Sequence, residues 1–319
     1  MRISKLLLKL STSIENIITA TLVSMAFYIT IPMLITINKI KLPKGSITNT
    51  INHLQKSGLK LSKIDIYLLD ALGQPKYGEL EIKKGVINRI DFLHKLINAT
   101  EAIDIITLIP GETRPIFLKE IAKKYKLDYK KLEEYYSKYS TYQEAGIIPD
   151  TYHLPKGIKE EKLISFLTKL SEKRYQKLAN KYLKRYNKKE WLTYLTIASI
   201  VQKESANKEE MPIVASVIYN RLKIDMPLQM DGTLNYGEYS HKKVTPKRIK
   251  TDKSRFNTYL NKGLPPYPIC SVATDAIEAS LKPATTNYLY FMKNRDGVHD
   301  FTNSYQEHLK NINRAKRAN

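Results

Sequence analysis

WLTYLTIASIVQKESANKEEMPIVASVIYNRLKIDMPLQ, residues 191–229, decides how most of this chain folds. It is the least polar stretch beyond the N-terminus, with apolar residues at helical spacing on either side of the polar break SANKEE (205–210). The pattern predicts two helices, roughly 190–205 and 208–223. Glu204 falls at the end of the first. Val201, Ile200 and Ile197 precede it by three, four and seven residues, so its carboxyl shares a face with a β-branched apolar stripe. Such neighbours exclude water, disfavour the anion and raise the pKa. An acid in that state can donate a proton near neutral pH. The same spacing also fits a glutamate that faces water beside Lys203 or Lys208.

Downstream, residues 225–272 read as loops, with Gly232, Gly237, Gly263 and the prolines 265, 266 and 268. Gln229, Asp231 and Tyr236 crowd one Gly-containing loop, and Asn257 and Tyr259 precede GLPPYP. Amides and hydroxyls match sugar hydroxyls, and tyrosine faces stack on sugar C–H surfaces, so these residues are candidate substrate contacts. Asp231 and Asn257 could equally serve as turn caps. The tail predicts a helix at 273–281, a strand at 287–292 and a basic C-terminal helix.

Upstream, an extended apolar segment, a Gly-containing turn and a helical segment recur, at 40–58, 80–99, 106–125 and 152–170. Ile47, Ile51 and Leu54 mark the buried side of the first helix, and Ile87, Ile90, Leu93 and Leu96 that of the second. Residues 158–190 form a long Lys/Tyr-rich helical region with a break near Asn187. The expected fold is α+β, with a small α/β module at 39–105 and a larger α+β domain at 106–319.

No residue between Glu15 and Lys39 is charged, and Ile17–Ile37 has the ~20 residues an α-helix needs to cross a bilayer core. A single transmembrane anchor at 17–37, after a tail of residues 1–16, is the expectation. A cleaved signal peptide and a buried helix are the alternatives. Arg2, Lys5 and Lys9 before the span balance Lys39, Lys41 and Lys44 after it, so charge leaves the orientation open.

The 53 Lys+Arg against 31 Asp+Glu give a net charge of +22, which invites a nucleic-acid reading. Against it, 42 of the basic residues are lysine, spread along the whole chain, whereas phosphate clamps and base readers favour arginine. We therefore expect no nucleic-acid partner. The single Cys270 excludes an intrachain disulfide and multi-cysteine metal sites. The six scattered histidines form no HExxH, and there is no GxSxG elbow, P-loop or dinucleotide fingerprint, so no metal or cofactor is expected.

Taken in order, PGETRPIFLKEIA (110–122), IIPDTYHLP (147–155), IASIVQKES (197–205), VASVIYNRL (214–222), MPLQMDGTLNYG (226–237), FNTY (256–259), GLPPYPI (263–269) and YLYF (288–291) resemble the YceG-like endolytic murein transglycosylases, the MltG family. The resemblance covers nearly the whole chain. It implies cleavage between N-acetylmuramic acid and N-acetylglucosamine in peptidoglycan, without water, to leave 1,6-anhydro-muramyl ends, so that strand elongation is terminated. It also implies a LysM-like module at 39–105, an anchor in the inner membrane with the catalytic domain in the periplasm, and peptidoglycan synthase complexes as partners.

The family carries two glutamates at its first motif. Here Gln202 replaces one, so Glu204 becomes the expected acid: it protonates the departing oxygen and, as carboxylate, takes the C6 hydroxyl proton. Gln229, Asp231, Tyr236, Asn257 and Tyr259 are the expected substrate contacts. Gly232 stands where the family usually has proline. These two departures motivate the competing expectation, a non-catalytic membrane-anchored wall-binding or scaffold protein of the same fold.

Overall fold

The computed structural model describes residues 2–36, 38–43, 45–98 and 103–316. Lys44 and the expected end points Ile37 and Asn319 lie outside the described residues. The chain is α+β and divides into two compact units, one of residues 1–104 with 153–157 and one of residues 105–152 with 158–319.

The first unit opens with α1 (Arg2–Thr30), whose stretch Ser11–Thr30 is long and apolar enough to cross a membrane. Ile17, Leu22, Val23 and Phe27 on it are exposed, which leaves a large apolar surface without a protein cover. The expected span to Ile37 is corrected here: the helix stops at Thr30. Pro32 has no N–H to continue the ladder and disfavours helical backbone in the residue before it. Pro32–Ile35 instead forms β1.

Strands β2 (Lys39–Leu42), β3 (Gly78–Glu81) and β4 (Gly85–Asn88) complete the strands of this unit up to residue 98, and helices α2 (Ile47–Lys56), α3 (Ile64–Leu72) and α4 (Arg89–Asn98) pack with them. β1 pairs antiparallel with β4, and β2 with β3. Alternation buries Met33 and Ile35 from β1, and Ile40 and Leu42 from β2, against Leu54, Phe92, Leu93 and Leu96 of the helices. Ile87, expected on the second of the recurring helices together with Ile90, Leu93 and Leu96, belongs to β4. The Asn88 side chain accepts the Asp91 N–H at 2.8 Å and starts α4 later than apolar spacing alone suggested.

A buried ion pair lies in the same unit. Asp65 Oδ2 accepts from Arg89 Nη1 at 2.7 Å, from the Ser62 N–H at 2.6 Å and from the Tyr28 hydroxyl at 2.9 Å. The Arg89 guanidinium also lies over the Tyr28 ring. The last turn of α1 is thereby held to α3 and α4 through charge-assisted bonds.

β5 (Ile103–Leu108) pairs with β6 (Asp150–Pro155), and between them run α5 (Arg114–Tyr125) and α6 (Tyr129–Tyr139). The Lys/Tyr-rich region is α7 (Glu160–Leu183). Asn187, the expected break, caps α8 (Lys188–Glu204) by accepting the N–H groups of Lys189 and Glu190. After α9 (Met211–Lys223), the loop-rich stretch holds two short 3₁₀ turns and α10 (Pro246–Thr251). Helix α11 (Thr274–Leu281), the hairpin β7 (Tyr290–Lys293) and β8 (His299–Thr302), and α12 (Tyr305–Lys316) close the chain.

The core of the second unit forms where α8 meets α9 and α11. Trp191, Leu195, Ile197, Ile200 and Val201 of α8 are buried with Val214, Val217 and Ile218 of α9 and Ala276 and Ile277 of α11. α8 is apolar around most of its circumference because neighbours cover it on several sides. Its last residue emerges from this core at a cavity.

Candidate active site

Glu204 ends α8, where the helix meets the 3₁₀ turn Asp231–Leu234. Its Oε1 accepts the Gly232 N–H at 2.6 Å. Burial pushes the carboxyl up to about 7, reinforced by the negative charge of Asp231 and opposed by the Gly232 N–H and the Arg221 guanidinium. Oε2 has no hydrogen bond among the described residues and is free to carry a proton into the cavity.

Gly232 permits this approach. A Cβ there would lie 2.7 Å from Lys203 Cβ and 2.8 Å from Glu204 Oε1, well inside contact distance. Gly232→Ala should therefore push the carboxyl aside and stretch its only backbone bond. With a charge-assisted bond worth about 1.5–3 kcal/mol, we expect a roughly 10- to 100-fold fall in kcat/KM on glycan strands, read with melting temperature as a control for folding.

The cavity, about 230 Å³, is lined by Glu204, Arg221, Leu228, Gln229, Met230, Asp231, Tyr259, Phe291, Met292, Lys293 and His299. Its floor is a cross-braced loop. The Gln229 and Met230 N–H groups donate to the backbone and hydroxyl oxygens of Thr258, and Thr233 meets the same hydroxyl at 3.0 Å. The Tyr259 hydroxyl donates to Asp231 Oδ1 at 2.7 Å. Gln229 takes a positive φ of 49°, a strained backbone for a non-glycine residue, and presents its side chain to solvent at the rim.

Of the expected substrate contacts, Gln229, Asp231 and Tyr259 share this cavity with Glu204, and two do not. Asn257 is fully buried; its Nδ2 donates to the carbonyls of Ile249 and Asp252, and its Oδ1 accepts the Tyr259 N–H. It holds the loop that presents Tyr259 and has no group left for substrate. Tyr236 stacks on Phe256 with ring centroids 4.2 Å apart and lines a separate pocket with Arg114, Glu144 and Tyr267.

Glu144 in that second pocket is also pushed up to about 7 by burial. Both of its oxygens accept the Arg114 N–H and Oε1 also accepts from Ala145, so neither is left to donate. Gln202 has a structural role. Its Oε1 accepts the Ala273 N–H at 3.1 Å, at the start of α11. That role needs an acceptor oxygen and no charge.

Sequence reasoning missed the cavity's other charged or titratable side chains, Arg221, Lys293 and His299. Arg221 is buried and donates to the carbonyls of Leu289, Pro227 and Leu228, joining α9 to β7 and to the loop before Gln229. His299 is tied to Glu210, 89 positions away, and no local pattern announces that pairing. Among the described residues no group of three or more His, Cys, Asp or Glu side chains could hold a metal ion.

The cavity thus holds two carboxyl groups in different surroundings, Glu204 raised to about 7 by burial and Asp231 exposed with one oxygen held by Tyr259. The chain matches the YceG-like family over residues 40–314 and belongs to that family. It is 40% identical over 141 residues to an endolytic murein transglycosylase of Bacillus subtilis (strain 168), covering 42% of this chain and 39% of that one. It is 36% identical over 124 residues to an endolytic murein transglycosylase of Streptococcus pneumoniae (strain D39), covering 37% of this chain and 22% of that one. The matched stretch thus spans well under half the length of either relative. The fold is similar to that of a yceG-like protein of Listeria monocytogenes, lmo1499, with a TM-score of 0.59, 26% identity, and coverage of 86% of this chain and 98% of that one.

Proposed function

We propose that this chain is an endolytic lytic transglycosylase that cleaves peptidoglycan glycan strands between N-acetylmuramic acid and N-acetylglucosamine and leaves 1,6-anhydro ends. The observation that carries the reading is Glu204: one oxygen anchored on Gly232, the other open to the cavity, and a pKa near 7. Glu204 donates its proton to the departing glycosidic oxygen. The sugar's own C6 hydroxyl attacks C1, so no protein nucleophile is required, and positive charge developing at C1 faces Asp231 and the newly formed Glu204 carboxylate.

Ordinary glycosidases pair two carboxyl groups flanking the scissile bond. Here Asp231 is the other carboxylate in the cavity, and its Oδ1 is occupied by Tyr259. That supports positioning or charge stabilisation by Asp231 in preference to nucleophilic attack. The helix α1 supports anchorage in the cytoplasmic membrane; the tail inside and the catalytic unit on the wall side follow from the family resemblance, since charge leaves the orientation open. The order β2–α2–α3–β3 supports a LysM-like reading of the module at 39–105. Peptidoglycan synthase complexes are the partners proposed for a chain held beside nascent strands, and termination of those strands is its proposed role.

The sign of the pH dependence follows from the raised pKa. Glu204 must be protonated to act, so the acid form is full well below pH 7 and lost as pH rises through about 7. Rates of anhydro-end formation measured against pH should fall about tenfold per unit above that point. A chain that binds insoluble peptidoglycan yet releases no anhydro-muropeptide at any pH, by mass spectrometry, would instead be the scaffold that the Gln202 and Gly232 departures suggested.

A further inference from the structure

The turn between α8 and α9 places a second polar pair at the cavity wall. Glu210, immediately before α9, is buried; its Oε2 accepts the Ala206 N–H at 3.1 Å, and its own N–H is held by Asn207 Oδ1. The same carboxylate grips His299 twice, at 2.7 Å to the backbone N–H and at 2.7 Å to ring Nδ1. Both side chains are about nine-tenths buried, and His299 lines the cavity that holds Glu204.

The ring is therefore assigned. Burial pushes the Glu210 carboxyl up, but the two His299 bonds and the Ala206 N–H outweigh it and hold the group below the ordinary range. An ionised carboxylate only accepts, so Nδ1 carries a proton, and in the neutral ring Nε2 is the nitrogen with the lone pair. Phe291 and Phe301 pack edge-on against the ring and restrict its rotation. The charged groups facing the cavity with it are Glu204, Asp231, Arg221 and Lys293, the last paired with His299 in the β7–β8 register.

We infer that His299 is the base of the reaction: its Nε2 takes the C6 hydroxyl proton while Glu204 supplies the proton for the leaving oxygen. This rests on the transglycosylase reading above and deepens it. The physical reason lies in Glu204 itself. With Oε1 bound to Gly232, one oxygen is left to serve the departing oxygen and the C6 hydroxyl in turn, whereas a base at His299 lets both proton transfers occur in one step. With two groups the step balances. The C6 O–H bond breaks and its proton goes to Nε2; the C6 oxygen bonds to C1; the C1 glycosidic bond breaks, and its oxygen leaves with the Glu204 proton. Water then returns the imidazolium proton to the Glu204 carboxylate. Glu210 is a positioning residue that fixes the tautomer and stabilises the imidazolium, as orienting carboxylates do beside catalytic histidines.

The test uses the full chain in detergent on isolated glycan strands, with anhydro ends counted by mass spectrometry from about pH 5 to 9. The wild-type rate should fall as Glu204 ionises, with rising pH through about 7. His299→Gln should lose about 10²–10⁴-fold in rate while that fall with pH stays. His299→Ala should regain activity with added imidazole, a rescue that a packing role does not predict. Glu210→Gln should lower the wild-type rate and leave the rate of His299→Ala unchanged, because it acts through the ring.

A folded His299→Gln with wild-type rate overturns the base assignment and leaves the reaction itself standing. Absence of imidazole rescue in a folded His299→Ala does the same. A wild-type chain that makes no anhydro ends overturns the transglycosylase reading, and the base with it.

Discussion

Glu204→Gln is expected to fold like the parent and to release no detectable anhydro-muropeptides, a fall of at least about 10²–10⁴-fold for loss of a general acid. Glutamine preserves the shape of the side chain and keeps an acceptor oxygen for the Gly232 N–H. It removes only the transferable proton. The variant carries a second, independent expectation. A carboxyl raised to about 7 in the folded chain opposes folding when ionised, progressively as pH climbs from the ordinary carboxyl range to about 7. Glutamine escapes that cost, so at pH 8 the variant should melt no lower than the wild type. Full activity in a variant shown to be folded would remove Glu204 from the chemistry.

Arg89→Met is expected to produce the largest loss of stability, about 3–5 kcal/mol, as when one partner of a buried pair is removed. Asp65 is completely buried, and its Oδ1 has no partner even with Arg89 in place. Without the guanidinium the carboxylate keeps only the Ser62 N–H and the Tyr28 hydroxyl, and the Lys60 carbonyl loses its donor. Hydrogen exchange of the full chain in detergent should accelerate at the amides of α3 and α4. Pairing Arg89→Met with Asp65→Leu should recover most of the loss, because an apolar pair leaves no charge stranded. Unchanged exchange in the single variant would mean that water reaches Asp65 and the pair contributes little.

The helices that build the second unit were legible because their apolar spacing is strong and their ends carry local signals. Asn187 divides the long Lys/Tyr-rich region from α8, and the polar break at 205–210 separates α8 from α9. The N-terminal helix was visible as an uncharged run, but its end was not. Ile31–Ile35 is apolar enough for either a membrane or a core, and pairing with β4 settled the matter in favour of a strand. Hydropathy carries no information about which solvent an apolar side chain will meet.

At the site, Glu204 could be picked from its helical stripe, and Gln229, Asp231 and Tyr259 from the density of polar groups in two loops. Asn257 and Tyr236 looked the same in sequence and do different work. One turns its amide inward to two backbone carbonyls, and the other lays its ring on Phe256. The direction of a loop side chain is set by hydrogen bonds to partners distant along the chain, and composition cannot rank those.

By itself the stretch 191–229 determined that two apolar-faced helices would meet and that a glutamate would stand at the edge of their core. That followed from the 3.6-residue period, which is local. Only the tertiary structure decided what surrounds the glutamate: the Gly232 N–H brought within 2.6 Å because no side chain stands between them, and the Glu210–His299 pair joined across 89 residues. A proton's readiness to move depends on the dielectric and the donors within a few ångströms, and for Glu204 those come from segments that meet only in the folded chain.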